Sequence, residues 1–395
     1  MQKFPRNALF TATLLACSSI AFADDAPAPA AAPAAAPAAP TGPTLSDILT
    51  NSGIELKGYV DVSAEGSDLA TKGNPYKVFD VEHSNLGLHQ VGVTIDKLPK
   101  EGFGGLLNIT IGKDADVIRS YGAGSTGYFD ATQAFIQYAG GPLTVQAGKF
   151  VTLAGAEVID SSADTNVSRS ILFGIIPFTH TGLRATYAVN DTTNLIAGVN
   201  NGWDEVSDPN TQKTIELGLT ANPVKPLNLS AALYSGVEPS AIVSGTVYAP
   251  SGTRTLFDAV ISYAVSDSLT LIFNGDYGVQ ENVLNGMTGF RGDAKWYGGA
   301  FYANYQIDEK DRISLRLEDF TDEQGYKVFN SLGVADGKSH EVHEVTFTYG
   351  YAPAKNFELR TELRYDEGNS TDFVKPDGTL TKSGTTVLLA GLLKF

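Results

Sequence analysis

Thr385-Thr386-Val387-Leu388-Leu389-Ala390-Gly391-Leu392-Leu393-Lys394-Phe395 closes the chain, a run of strand length ending on an aromatic residue. Upstream, Phe357-Glu358-Leu359-Arg360-Thr361-Glu362-Leu363-Arg364-Tyr365 sets Phe, Leu, Thr, Leu and Tyr on one face of a strand and Glu, Arg, Glu and Arg on the other, because successive side chains point to opposite sides. Such an apolar face needs a core in a soluble sandwich or lipid in a transmembrane barrel. One strand cannot separate the two, so the decision falls to the whole pattern.

From Ile54 onward sixteen segments carry strand character, near 54–63, 86–96, 104–112, 131–139, 143–150, 181–189, 194–201, 213–221, 227–235, 255–265, 268–277, 295–307, 312–320, 341–351, 356–366 and 385–395. Seven connections are short, at 97–102, 140–142, 190–193, 222–226, 266–267, 308–311 and 352–355, and those between them are mostly longer and polar or Gly-rich. Short turns alternating with long loops, with both ends of the chain on the short-turn side, are the topology of an outer-membrane barrel. The predicted fold is therefore all-β, a transmembrane antiparallel β-barrel of about sixteen strands, a size that leaves a lumen. Closure hides every backbone polar group of the sheet, so no long apolar helix is required. Tyr138, Tyr187, Tyr263, Tyr277, Tyr297, Tyr305, Tyr349, Tyr351 and Tyr365 fall near strand ends, as aromatic girdles at membrane interfaces would.

Lys3 and Arg6, an apolar stretch from Ala8 to Phe22 and Ala21-Phe22-Ala23 before Asp24 read as a signal peptide over 1–23. Leu14-Leu15-Ala16-Cys17 offers the competing reading of a lipobox, with Cys17 the chain's one cysteine. Residues 24–44 form an Ala/Pro-rich spacer, extended because proline blocks both helix continuation and strand pairing. The barrel domain is then 45–395. The net charge of −16 makes a nucleic-acid partner a poor expectation for an exported chain.

Gln146-Ala147-Gly148-Lys149-Phe150, Ala154-Gly155-Ala156-Glu157-Val158-Ile159-Asp160, Asn166-Val167-Ser168-Arg169-Ser170, Pro177-Phe178-Thr179-His180-Thr181-Gly182 and Asn200-Asn201-Gly202-Trp203-Asp204 follow in that order. In these motifs the chain resembles the OmpL-like outer-membrane β-barrel porins, the second putative β-barrel porin family, from about Ile54 to Phe395. The resemblance implies a channel and no defined substrate.

With the apolar faces outward, the charged faces line the lumen, since Lys or Arg at the bilayer midplane costs about 2–4 kcal/mol. Arg312, Arg316, Arg360 and Arg364 then form a basic strip, and Glu318, Glu344, Glu358, Glu362, Asp258 and Asp276 face the same interior. Pairing between neighbouring strands is the competing role for these charges. The connection 151–180 holds Glu157, Asp160, Asp164 and Arg169 and an apolar run, Ile171-Leu172-Phe173-Gly174-Ile175-Ile176. It is expected to fold inward as a constriction, its acids setting a transverse field against the basic strip. On the closing strand Val387, Leu389, Gly391, Leu393 and Phe395 take the lipid side.

The expected activity is passive diffusion of ions and small hydrophilic solutes, with outer-membrane lipids as the surroundings and no cofactor or metal. A homotrimer follows only by analogy with sixteen-stranded porins. A structural or adhesive protein with a blocked lumen is the alternative. An enzyme is a further one, but His83, His89, His180, His340 and His343 accompany no nucleophile motif, and His340 and His343 point to opposite faces of a strand.

Overall fold

Phe395 and Gly58 exchange backbone hydrogen bonds of 2.9 Å in both directions, and this exchange begins the seam that closes a sixteen-stranded barrel. The computed structural model describes residues 42–122, 127–208, 210–243, 246–284, 290–327 and 336–395. The leader, with Cys17, and all but the last three residues of the spacer lie outside the described residues.

A helix, α1 (Leu45–Ser52), precedes the sheet. The barrel strands are β1 (Glu55–Ser67), β2 (Ser84–Lys97), β3 (Gly102–Ile111), β4 (Phe129–Gly140), β5 (Leu143–Val151), β6 (Thr179–Asn190), β7 (Thr193–Asn200), β8 (Thr214–Val224), β9 (Leu227–Val243), β10 (Thr246–Ala264), β11 (Leu269–Leu284), β12 (Arg291–Gln306), β13 (Asp311–Asp322), β14 (His340–Ala354), β15 (Phe357–Gly368) and β18 (Ser383–Lys394). A small hairpin, β16 (Phe373–Val374) with β17 (Leu380–Thr381), lies in the last long connection. Two short helices, α2 (Lys113–Ile118) and α3 (Ile171–Ile175), belong to the long connections after β3 and β5.

Each predicted strand has its counterpart, and strands adjacent in the chain pair antiparallel around the wall. The seam runs from Tyr59 opposite Lys394 to Ser67 opposite Thr386. At its end the Phe395 ring lies on Gly58, where any Cβ would collide with it, so glycine is what permits this close approach.

Alternation sorts the two faces sharply. On β18 Leu389 is 56 % exposed and Leu388 is 0 %. Val387, Leu393 and Phe395 are exposed with Leu389, while Ala390 and Leu392 are buried with Leu388. All nine tyrosines picked out near strand ends are exposed on the outer face. Tyr277 and Tyr297 are direct cross-strand partners whose rings stack 6.3 Å apart.

β9 to β12 run well beyond the expected limits, to Val243 and from Thr246 on the first hairpin. The stretch expected as a loop near 236–254 is thus mostly a tall two-stranded ribbon. Its register shifts between Tyr248 and Ser251, the interval containing Pro250, and such an irregularity accommodates a residue that cannot donate to the ladder.

Outward Leu389 provides a direct test of the lipid-facing surface. Leu389→Arg is expected to lower the free energy of unfolding from lipid vesicles by about 2–4 kcal/mol. Pro353→Arg, at a short turn, is expected to change it by less than about 0.5 kcal/mol. Urea titration of both variants checks the pair, and equal effects would contradict this orientation of β18.

Candidate functional site

The connection between β5 and β6, residues 152–178, lies inside the barrel and reaches wall strands far apart in the sequence. Leu153 N–H donates to Tyr234 Oη on β9 at 2.8 Å, and Ala156 N–H to Asn274 Oδ1 on β11 at 3.0 Å. Asn166 Nδ2 donates to Thr348 Oγ1 on β14 at 2.7 Å, and Lys394 Nζ on β18 donates to Ser162 O at 2.7 Å. Ser161 N–H reaches Gln90 Oε1 on β2 at 3.3 Å.

Most of this segment is irregular, so its backbone groups lack the partners that a helix or sheet supplies. Charged side chains of the wall provide many of them. Glu362 accepts from Val167 N–H and Ser168 N–H at 2.6 and 2.9 Å, and Glu318 accepts from Ile171 N–H and Leu172 N–H, both at 2.7 Å. Carbonyl oxygens are taken by the arginines: Arg312 donates to Thr165 O at 2.8 Å, Arg316 to Ser168 O at 2.7 Å, Arg360 to Ser161 O at 3.1 Å and Arg364 to Arg169 O at 2.6 Å. Ser170 Oγ caps α3 by accepting from Phe173 N–H at 3.0 Å.

Remaining valences close into ion pairs. Arg316 joins Glu157 at 2.7 Å and Glu344 at 2.9 Å, with no exposure of its own. Arg364 pairs with Asp366 at 2.7 Å, while Arg312 and Arg360 share Glu358 at 2.6 and 2.7 Å. Within the loop Arg169 pairs with Asp164 at 2.9 Å and donates to Val158 O and Ile159 O. Asp160 accepts from Ser162 N–H at 2.8 Å. The sequence reading set loop acids against the basic strip across water. In the fold the loop lies directly on the strip, and Glu157 touches Arg316.

The wall from β9 to β13 departs in part from the expected polar interior. Tyr234, Leu256, Trp296, Ala300, Tyr302 and Phe320 point inward and form an apolar cluster with Ile171, Leu172, Ile175 and Ile176 of the loop. A second inward segment, the β1–β2 connection 68–83, adds Leu69 and Tyr76 to that cluster and places Phe79 5.7 Å from Phe173. Its Lys77 pairs with Glu65 at 3.0 Å, and Asn74 Nδ2 donates to Asp366 at 2.9 Å. Nothing in its sequence has strand or helix period, so only the scattered Leu69, Tyr76 and Phe79 signalled that it packs.

Asp258 and Asp276 are cross-strand partners facing inward, with Asn274 Nδ2 donating to Asp258 at 2.6 Å. Arg184 and Glu216 pair at 2.5 Å on β6 and β8. His340 is held inside by Asp372 and Asp336, whereas His343 is exposed beside Asp319. Cover over the interior is uneven. At the short-turn end of β5 to β8 Thr144, Gln146, Thr186, Asn194 and Thr220 are half-buried, while deeper on the same strands Lys149, Arg184, Asn200, Thr214 and Glu216 are buried, as are Thr346, Thr348 and Glu362 under the loop on β14 and β15.

Residues 53–395 match the family model described as "Putative beta-barrel porin-2, OmpL-like". The chain belongs to this porin family. It is an outer-membrane channel for passive diffusion. No curated protein matches the porin. Among solved structures it is similar to the outer membrane channel DcaP of Acinetobacter baumannii, at 15 % identity and TM-score 0.59 over 87 % of this chain and 97 % of that one. The anion-selective porin from Comamonas acidovorans matches at 13 % identity and TM-score 0.56, over 87 % and 99 % of the two chains. A trimer form of OmpT, an outer membrane protein of Vibrio cholerae, matches at 10 % identity and TM-score 0.57, also over 87 % and 99 %. At these identities the likeness is one of fold.

Removing one member of a buried charge network leaves its partners uncompensated, at a cost of about 3–5 kcal/mol. Arg316→Met is therefore expected to unseat the loop of the porin. Trypsin should then cut after Arg169, which is 2 % exposed in the intact protein. Protection equal to that of the unaltered chain would mean that Arg316 does not hold the loop.

Proposed function

We propose that solutes cross the barrel beside the inward loop, along the inner faces of β5 to β8, and that the loop is the constriction. The observation that carries this route is the half-cover of Thr144, Gln146, Thr186, Asn194 and Thr220 at the short-turn end of β5 to β8, which leads inward to the paired Arg184 and Glu216. Hydroxyls and amides both donate and accept, so this side offers hydrogen bonds to a dehydrating solute, and its charges Lys149, Arg184 and Glu216 are held in ion pairs. Small hydrophilic molecules and hydrated ions are the class it suits.

The four arginines of the strip serve chiefly to seat the loop, and their selectivity role is indirect, through the position of the constriction. The outward apolar band meets outer-membrane lipid, with Val387, Leu389, Gly391, Leu393 and Phe395 on the closing strand. The segment 1–23 acts as a cleaved export signal and 24–44 as a periplasmic spacer. A homotrimer is the assembly proposed, supported by the trimer form among the similar barrels. Transport without catalysis is the whole activity in this reading.

Planar-bilayer recording tests both halves. Deleting Gly155 to Gly174 is expected to raise single-channel conductance severalfold, and an unchanged current would remove the loop from the conduction path. Asn194→Arg is expected to shift the reversal potential in a salt gradient toward anions. No shift would place the route elsewhere.

A further inference from the structure

Above the inward loop, on the long-connection side, lies a cavity of about 170 Å³, many times what one water needs. Gly174, Ile176 and Phe178 of the loop line it, together with Trp203, Glu205, Glu238, Arg254 and Lys327. Two opposite polar demands meet there. Trp203 is 5 % exposed and Glu205 3 % exposed, and among the described residues the Trp203 Nε1–H has no acceptor and Glu205 Oε1 no donor.

Charge is divided across the same space, which Arg119 and Asp204 also line, Asp204 accepting from Phe178 N–H and Thr179 N–H. Arg254 Cζ stands 4.9 Å from the Trp203 ring centroid and Lys327 Nζ 5.1 Å from it, so both cations attend one indole. Arg254 spends Nε on Gln280 and Nη2 on Pro239 O and Tyr326 Oη, and its Nη1 has no acceptor among the described residues. Lys327 makes no ion pair among the described residues and also stands 4.5 Å from the Trp296 ring. On the other side Glu238 uses Oε1 on Thr214 Oγ1 and Trp203 N–H, beside Glu205.

From this division we infer that the cavity binds a small zwitterion of the amino-acid type, its carboxylate toward Lys327, Arg254 and the Trp203 N–H and its ammonium toward Glu205. Ligand charges would complete what the protein leaves unmatched. Burial, with the repulsion of Arg254, pushes the Lys327 ammonium down to about 7. Burial, with the nearby Glu238 charge, pushes the Glu205 carboxyl up to about 8. A carboxylate arriving at the first and an ammonium at the second would restore both charged forms, which makes the solute's two charges cooperative. Lys327 and Gly174 also line a smaller cavity of about 40 Å³ next to Tyr76 and Ile171, so the site adjoins space deeper in the barrel.

This inference gives a solute class to the porin reading and rests on it for its purpose, but binding can be measured without conduction. The chain's two tryptophans, Trp203 and Trp296, both contact Lys327, so their fluorescence reports from the site. Purified full-length porin would be titrated with alanine, with acetate and with ethylammonium, and calorimetry would follow the same titrations. Alanine is expected to give a saturable change, with acetate and ethylammonium each at least tenfold weaker. Glu205→Gln should reduce alanine to the level of acetate, and Lys327→Met should abolish the response to both. If Lys327→Met fails to fold, Trp203→Phe provides the second arm, expected to weaken alanine severalfold by calorimetry. Acetate binding as tightly as alanine would overturn the zwitterion in favour of an anion site. Absence of any saturable binding in a protein that still conducts would overturn the inference and leave the porin reading standing, whereas loss of conduction would fail that reading separately.

Discussion

An irregular backbone buried inside a protein must find a partner for each N–H and C=O, and the interior of this barrel is organised around that demand. Residues 152–178 enter the lumen with only one short helix of their own, α3. Each backbone group left dry and unmatched there would cost about 1–3 kcal/mol. Glu318 and Glu362 each take two N–H groups, and Arg312, Arg316, Arg360 and Arg364 each take a carbonyl. The charged residues of β13 and β15 thus act as the missing secondary structure of the loop.

The loop has a second, apolar seat with a different logic. Ile171, Leu172, Ile175 and Ile176 meet Leu256, Trp296 and Phe320, where burial of each large side chain contributes about 1.5–3 kcal/mol and imposes little direction. Ion pairs and backbone bonds fix the orientation on one flank, and packing holds the other against the wall. With both flanks of the loop occupied, less covered parts of the interior include the short-turn end of β5 to β8, the gap between Asp160, Ser162 and Lys394, and the cavity above Gly174 near Trp203. Fold and permeation are therefore linked through the same contacts.

Architecture was the legible part of the sequence, for a local reason. Leu388 and Leu389 are the same residue type, yet their opposite faces follow from position alone, because a closed sheet lets period two decide every orientation. The outward tyrosines were readable on the same ground. The tops of β9 to β12 were not, because beyond the lipid the outer face no longer needs apolar residues and the alternation fades. Roles inside the barrel were still harder to read. Glu318 and Glu362 could be assigned to the interior, but their partners are backbone N–H groups about 150 to 200 residues away, and backbone carries no signature in sequence. Trp203 and Lys327 come from two separate connections and Arg254 from within β10, and only closure of the barrel brings them together.

Contact pairing also relocates the source of electrostatic selectivity. A cation 2.7 Å from its carboxylate, as in Arg316 with Glu157, acts at a distance as a dipole whose field decays faster than that of a single charge. Beyond about 8 Å mobile salt screens what remains. The basic strip therefore contributes little to the field along the half-buried wall, and the chain's net charge of −16 must act elsewhere. Among the described residues buried Asp and Glu well outnumber buried Lys and Arg, so much of the negative excess is interior, whereas the exposed Glu281, Asp293 and Glu341 toward the long connections stand among Lys213, Arg291, Lys295, Lys338 and Lys382. An interior excess of acids favours cations over anions. A solute bearing both charges feels least of this net bias and gains from a cavity that holds both signs, so the interior field and the proposed site select in the same direction.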